Sequence, residues 1–136
     1  MQVYKKILVA MDCSDVDDVI IEHVSALALQ NQAQVYLIHV VHSHTLDQER
    51  ALHKQAVACL KSQCDILKAK GIDANMIIRS GEPDKEMLKE IEEKDYDLVA
   101  MATHGHSFVG DILFGSVSRT LKHKISTPLL LIGPRQ

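Results

Sequence analysis

Apolar residues in this chain are concentrated in five short runs that are separated by longer amphipathic stretches. The runs cover residues 6–11, 35–41, 74–79, 97–102 and 128–133. Four of them are nearly continuous rather than alternating, which is typical of parallel strands covered by helices on both faces. The pattern therefore predicts five buried strands.

The longer stretches between these runs predict helices. The first is expected to begin with Ser14 as its N-cap and to end near Asn31, with acidic side chains in its first turn. Its apolar residues have helical spacing and are expected on one face: Val16, Ile20, Val24, Leu27 and Ala28.

Three further helices are predicted from their end signals. The second covers about residues 46–70 and is followed by Gly71, and the third has Pro83 in its first turn. The fourth follows Gly115 and Ser116 and ends near residue 124.

Strand and helix thus alternate along the whole chain of 136 residues, the length of one ordinary domain. Because right-handed crossovers leave few other arrangements, we predict an α/β fold: one domain over residues 1–136 with a doubly wound, open, parallel five-stranded sheet and helices on both faces. Such sheets bind ligands outside the carboxyl ends of their strands, where the strand order reverses. We expect the site there.

Charge and composition exclude several classes of partner. The net charge is −3, and no basic patch stands out, so we expect neither nucleic acid nor a membrane as a partner. The apolar run after Lys5 and Lys6 is shorter than the core of a signal peptide, and we expect a cytoplasmic protein.

The three cysteines are expected to be reduced, structural thiols. Their number is odd, and Cys59 and Cys64 lie roughly 140° apart around a helix, which makes a bond between these two unfavourable.

Residues 102–116 contain three of the six glycines of the chain. Glycine clusters mark turns or close approaches of a ligand to the backbone. Gly115 and Ser116 precede a predicted helix, whose N-terminus attracts anions, so a phosphate chain between Gly105 and Gly115 is the natural ligand. The segment is not a Walker A loop, because Asp111 and Ile112 stand where Lys and Ser or Thr are required.

The chain resembles the universal stress protein family along its whole length. The resemblance rests on "KKILVAMDCS" at the start, "HVV" after the second run, and the block "MATHGHSFVGDILFGSVSRTLKHKISTPLLLI". Family members that bind ATP carry G-x2-G-x9-G-[S/T], and the matching residues here are Ala102, Gly105, Gly115 and Ser116. The resemblance implies ATP as the cofactor, alone or with Mg²⁺, with AMP or a cyclic nucleotide as alternatives.

The resemblance also implies roles for individual residues. Asp12 would lie by the ribose or adenine, and Val40 would contact the adenine ring. The residues expected to line the phosphates are Gly105, His106, Gly115, Ser116 and Val117. Ala10 stands where relatives often have proline, which we expect to be tolerated. Ala102 adds a methyl group, which is harmless at negative φ and obstructive at positive φ.

Histidines cluster near two of the predicted strand ends. Imidazole clusters can bind zinc, but His39 and His42 are three residues apart and would point to opposite faces of a strand. We therefore expect no metal site among His39, His42, His44, His104 and His106. His104 is expected to order its loop by hydrogen bonding, or to contact phosphate when protonated.

The last strand is expected to mediate dimerisation. The resemblance implies the strand order 3-2-1-4-5, which makes residues 128–133 a sheet edge, and family members pair this strand with its copy in a homodimer. Leu129, Leu131 and Ile132 are suitable contacts.

Three functions remain open from the sequence. The first is an ATP-binding, homodimeric stress-response regulator with little or no catalysis and an unidentified protein partner. The second is a nucleotide-free family member that acts through partner surfaces, and the third is a slow ATP hydrolase. No set of base, cationic side chain and paired carboxylates is visible, which favours a regulator over an enzyme.

Overall fold

The computed structural model describes residues 3–14, 17–102 and 117–133. The elements in chain order are β1 (Lys6–Ala10), α1 (Asp17–Asn31), β2 (Gln34–Val41), α2 (Leu46–Ala69), β3 (Asp73–Ser80), α3 (Pro83–Glu93), β4 (Leu98–Ala102), α4 (helical over 117–124) and β5 (Leu129–Ile132). All five strands fall within one residue of the predicted bounds at either end. The start of α4 lies outside the described residues.

The five strands form one parallel sheet in the order β3-β2-β1-β4-β5. Ile7 of β1 is in register with Val35 of β2 on one side and with Leu98 of β4 on the other. The strand order therefore reverses between β1 and β4, and this confirms the predicted doubly wound fold. Right-handed crossovers place α1 and α2 on one face and α3 and α4 on the other.

The central strands explain why the apolar runs are continuous. Residues 7–10 of β1 and all of β4 are buried, because helices cover both faces of the sheet. From α1, Ile20, Val24 and Ala28 are buried against the sheet as predicted, and Leu27 is partly buried. Val16 lies outside the described residues.

Local signals fix the helix ends. The hydroxyl of Thr45 accepts a hydrogen bond from the Gln48 N–H at 3.1 Å and caps α2. Gly71, with φ of 86°, follows the other end of α2 as predicted. Helix α1 begins at Asp17, where the backbone N–H donates to the Ser14 carbonyl oxygen at 3.0 Å.

Strand β5 is an edge of the sheet, as expected from the resemblance. The side chain of Leu131 is exposed and that of Leu129 is partly buried. Ile132 differs from the expectation, because it is buried in the core of its own chain beside Ala102, its partner in the β4–β5 register. Among the helices of the described residues, none is both long and apolar enough to cross a membrane.

Candidate functional site

A cleft opens at the carboxyl ends of the central strands, where the strand order reverses. We call it the strand-end cleft, and its lining residues are Ala10, Met11, Asp12, Ile38, His39, Val40, Pro83, Met87, Met101 and Val117. They come from the ends of β1, β2 and β4, from the first turns of α3 and from α4. This is the place where an open parallel sheet is expected to bind a ligand.

Four of the predicted site residues meet in the strand-end cleft. They are Ala10, Asp12, Val40 and Val117. Ala102 is buried at the end of β4, one residue beyond the lining residue Met101. The other five predicted site residues lie outside the described residues: His104, Gly105, His106, Gly115 and Ser116.

The backbone at Ala102 has the conformation that tolerates a side chain. Among the described residues, the non-glycine residues with positive φ are Cys13 and Gln32. Ala102 is an extended residue of β4 that pairs with Ile132 of β5. Its methyl group therefore introduces no backbone strain where ATP-binding relatives carry glycine.

The loop that carries Asp12 is held by a buried carboxylate. Asp17, at the start of α1, is 1% exposed, and its two oxygens accept hydrogen bonds from the N–H groups of Asp12 at 3.0 Å and Cys13 at 2.7 Å. Burial raises the pKa of Asp17 to about 6, although these N–H groups favour the ionised form. At neutral pH the carboxylate is mostly ionised and accepts both bonds.

Among the described residues, the polar side chains that line the strand-end cleft are Asp12 and His39. Partial burial raises the pKa of the Asp12 carboxyl group, and Ser14 and His39 oppose that effect. The Nδ1 atom of His39 lies 2.8 Å from the Met11 carbonyl oxygen. Because a carbonyl oxygen can only accept, Nδ1 of His39 carries a hydrogen and donates this bond. The carboxylate of Asp12 offers acceptors to hydroxyl or amino groups of a ligand.

The other lining residues that the structure describes are apolar. Val40 of β2, Met87 of α3 and Met101 of β4 face a common space, closed on another side by Val117. A flat ring of a ligand can pack between such side chains. A neighbouring carboxylate can accept hydrogen bonds from a sugar attached to that ring.

An ion-pair network fixes the helix that supplies Met87. Arg79 of β3 donates to Glu86 at 3.0 Å and to Glu90 at 2.9 Å, both on α3. The other oxygen of Glu90 accepts a hydrogen bond from the Tyr96 hydroxyl at 2.6 Å. These contacts join α3 to the edge of the sheet and to the start of β4.

Comparison with known proteins agrees with the fold. The sequence model of the Universal stress protein family matches residues 3–133. The chain belongs to this family. Universal stress protein YxiE of Bacillus subtilis (strain 168) is 27% identical over 146 residues, which cover 95% of this chain and 99% of that protein.

Universal stress protein MJ0577 of Methanocaldococcus jannaschii is 25% identical over 153 residues, with 95% of this chain and 94% of that protein covered. A solved structure of MJ0577 has a TM-score of 0.85 at 26% identity and covers 98% of this chain and 99% of that chain. The similarity in sequence and in structure thus extends over nearly the whole length of both proteins.

Two other universal stress proteins share the fold at lower identity. One was solved in complex with cAMP and has a TM-score of 0.74 at 20% identity, with 96% of this chain and 97% of that chain covered. One from Archaeoglobus fulgidus was solved in complex with dAMP and has a TM-score of 0.73 at 22% identity, with 96% and 98% covered. Each of these two proteins was thus solved with an adenine nucleotide bound.

Sequence reasoning missed several residues that line the cleft of this universal stress protein. No sequence signal assigned Met87 or Met101 to the cleft, and Pro83 was predicted only as part of the first turn of a helix. A signal was available for Pro83, because a helix that follows a parallel strand begins at the same edge of the sheet as the strand ends. His39 likewise belongs to the lining, next to the predicted Val40.

His42 and His44 contact each other, whereas two of the cysteines lie in a separate group with an acidic residue. The Nδ1 atom of His42 lies 3.2 Å from the Gly81 carbonyl oxygen, and its ring packs edge-on against His44. Within the described part of the chain, the group of three side chains with potential metal-binding atoms in mutual reach is Cys13, Asp17 and Cys59, which contains no histidine.

The expectation of three reduced thiols is wrong for two of them. Cys13 and Cys59 form a disulfide, with their Cα atoms 5.9 Å apart, whereas Cys64 is free and buried. Helix α2 lies beside α1 and brings Cys59 to the loop after β1. This contact between residues 46 positions apart could not be inferred from local spacing.

Proposed function

We propose that this universal stress protein is an ATP-binding, homodimeric, cytoplasmic stress-response regulator with little or no catalysis. The observation that supports it best is the strand-end cleft, which combines the carboxylate of Asp12 with apolar walls from Val40 and Val117. The proposed cofactor is ATP, alone or with Mg²⁺.

The chemistry of the cleft suits an adenine nucleoside. The partly buried side chain of Val40 provides an apolar surface for the purine ring, with the buried Met87 and Met101 behind it, and Asp12 provides an acceptor for ribose hydroxyls. The cAMP and dAMP complexes of proteins with this fold support an adenine nucleotide as the ligand class.

The phosphates would extend from the cleft towards α4. Val117 is a lining residue and belongs to α4, so the preceding Gly115 and Ser116 would present backbone N–H groups to an anion. Gly105 and His106 would contact the phosphates from the segment after β4. The pattern of the ATP-binding family members, matched here at Gly105, Gly115 and Ser116, is the reason that we propose ATP rather than a monophosphate.

The lining supports a regulator more than an enzyme. The described residues of the cleft include one carboxylate, Asp12, and no lysine or arginine. Hydrolysis of ATP requires an oriented water molecule, cationic groups and a held metal ion. A nucleotide that is bound but scarcely hydrolysed can instead shift the protein between two conformations, whose surfaces a partner protein distinguishes.

Calorimetric titration of the purified, nucleotide-stripped protein with ATP, AMP and cAMP, each with and without Mg²⁺, tests the proposal. Any nucleotide that copurifies is first released by denaturation and identified by chromatography and mass. We expect ATP to bind most tightly and Asp12→Ala to weaken it about 10- to 100-fold, because a charged hydrogen-bond acceptor is lost. Asp18→Ala, an exposed change on α1, is the matched control and should bind normally.

Each alternative function has its own outcome in this experiment. A folded wild type that binds no adenine nucleotide would support a nucleotide-free protein that acts through partner surfaces. Phosphate release faster than about one per second would indicate an enzyme of ordinary activity and contradict a regulator.

A further inference from the structure

A disulfide joins the loop that carries Asp12 to helix α2. Cys13, directly after Asp12, is exposed, and its partner Cys59 on α2 is partly buried. The third cysteine, Cys64, is buried and 4% exposed. Small thiols and disulfides can therefore reach Cys13, whereas Cys64 is shielded.

Both sulfur atoms are carried by backbone that other contacts already hold in place. Asp17 accepts the N–H of Cys13 at 2.7 Å, and Cys59 lies in the middle of the 24-residue helix α2. The Cα atoms are 5.9 Å apart, within the ordinary range for a disulfide. The two thiols would thus stay close after reduction, so the bond can form again without refolding.

We propose that Cys13 and Cys59 form a reversible thiol–disulfide site that a low-molecular-weight disulfide oxidises and the corresponding thiol reduces. In a compartment whose thiol pool is reducing, such a bond forms only when the pool becomes oxidised. The site would therefore report the redox state of the surroundings.

The exchange proceeds in two balanced steps. The thiolate of Cys13 attacks one sulfur of the small disulfide, which forms a mixed disulfide and releases one thiolate. The thiolate of Cys59 then attacks the sulfur of Cys13 and releases the second. Two cysteine thiols are oxidised, one small disulfide is reduced to two thiols, and the two cysteine protons end on those products.

The oxidation state of Cys13 and Cys59 is expected to change the affinity of the strand-end cleft for its ligand, because Cys13 directly follows Asp12. This inference rests on the proposed function. Asp12 and Cys13 donate their N–H groups to the same carboxylate, that of Asp17. A bond from Cys13 to α2 restrains this segment further, and a restrained binding loop loses less freedom when ligand binds. The oxidised protein should therefore bind nucleotide more tightly than the reduced protein.

The test begins with the redox reaction alone. The full chain is equilibrated at a series of ratios of reduced to oxidised glutathione, denatured in acid, alkylated and weighed by mass spectrometry. We expect a reversible change between three alkylated cysteines and one. Cys64→Ser should keep the transition, and Cys13→Ser and Cys59→Ser should each abolish it.

Three results in this first test would overturn the site. They are a pair that stays reduced at every ratio, a bond that small thiols never reduce in the native protein, and stoichiometric Zn²⁺ binding by the reduced native protein that protects both cysteines from alkylation before the acid step. The last is included because Cys13, Asp17 and Cys59 place their potential ligand atoms within 4.8 Å of one another.

The second test is the affinity for ATP in the two redox states. We expect the oxidised form to bind at least about fivefold more tightly, and Cys59→Ser to bind like the reduced form in both buffers. Equal affinities would overturn the connection to the cleft. If neither form binds any adenine nucleotide while the thiol transition persists, the proposed function fails and the redox site stands.

Discussion

The carboxylate of Asp17 accepts a hydrogen bond at 3.0 Å from the backbone N–H of Asp12. A residue in the first turn of α1 thereby fixes the position of the acidic residue in the strand-end cleft. Its second oxygen fixes Cys13, which has φ of 59°. The sharp turn after β1 thus depends on one buried side chain rather than on glycine.

Replacing Asp17 by alanine should destabilise the protein by about 3 kcal/mol, because two backbone N–H groups lose their acceptor. Urea unfolding monitored by circular dichroism gives the free energy of unfolding. The exposed neighbour Asp18 is the matched control, and Asp18→Ala should change stability by no more than about 0.5 kcal/mol. Equal effects of the two substitutions would mean that the hydrogen bonds to Asp12 and Cys13 contribute nothing.

The buried Glu90 predicts sensitivity to acid. Burial alone would raise the pKa of Glu90, but hydrogen bonds from Tyr96, Lys94 and Arg79 outweigh burial and lower it. The folded-state pKa lies below the unfolded value of about 4.3, so the ionised Glu90 contributes to the stability of the fold above that pH. This contribution is lost as the pH falls through the folded-state pKa.

Tyr96→Phe removes one of these donors and should raise the pKa of Glu90. We expect the midpoint of acid unfolding to move to higher pH and stability at neutral pH to fall by about 2 kcal/mol. Tyr36→Phe is the control, because the Tyr36 hydroxyl donates only to the neutral Gln34 side chain, at 3.1 Å. An acid midpoint that moves equally in both variants would contradict the role of Glu90.

The fold was predictable because its signals are local and repeated. Five apolar runs separated by capped amphipathic segments, with glycine at Gly71 and proline at Pro83, are enough to define a doubly wound sheet. The position of the cleft follows from the strand order, so Asp12 and Val40 could be expected near it from their places at the ends of β1 and β2, whereas their roles toward a ligand were implied only by the family resemblance.

Contacts between distant helices were not predictable in the same way. Cys59 reaches Cys13 because α2 packs beside α1, and the helical phase that aims its side chain depends on how the helix sits on β2 and β3. Met87 likewise has the pattern of a core residue, and only the position of α3 over the sheet end makes it part of a cleft. These contacts are determined by how the helices pack on the sheet and not by the local sequence.

The disulfide predicts a stability that depends on redox conditions. In the chain-entropy description, a bond that closes a loop of 46 residues stabilises the folded state by about 4 kcal/mol. Urea unfolding of the oxidised protein and of protein in excess reductant should differ by up to this amount. Cys13→Ser should unfold at the same urea concentration with and without reductant, and a shift in that variant would point to a cause other than this bond.

The strand geometry of Ala102 predicts that ATP binding does not require the glycine that the ATP-binding pattern has at this position. Because Ala102 has ordinary strand geometry, Ala102→Gly should leave the affinity for ATP within about twofold while destabilising the protein by about 1–2 kcal/mol. Ala100→Gly, in the same buried strand, should have a similar effect on stability. Tenfold tighter ATP binding by Ala102→Gly would mean that the methyl group obstructs the ligand.

The edge strand β5 predicts how two copies associate. Leu131 is 38% exposed on an edge whose backbone groups have no neighbouring strand among the described residues, and such an edge is protected when it pairs with a second copy. We expect the wild type to sediment as a dimer at micromolar concentration and Leu131→Lys to sediment as a monomer, because a lysine at the dyad would face its own copy.

Leu29→Lys is the matched control for this experiment, since Leu29 is 52% exposed but lies on α1, away from the edge strand. It should remain dimeric. A monomeric wild type would rule out pairing through β5, and a dimer that tolerates Leu131→Lys but dissociates with Leu29→Lys would place the interface on the face of the sheet that α1 covers.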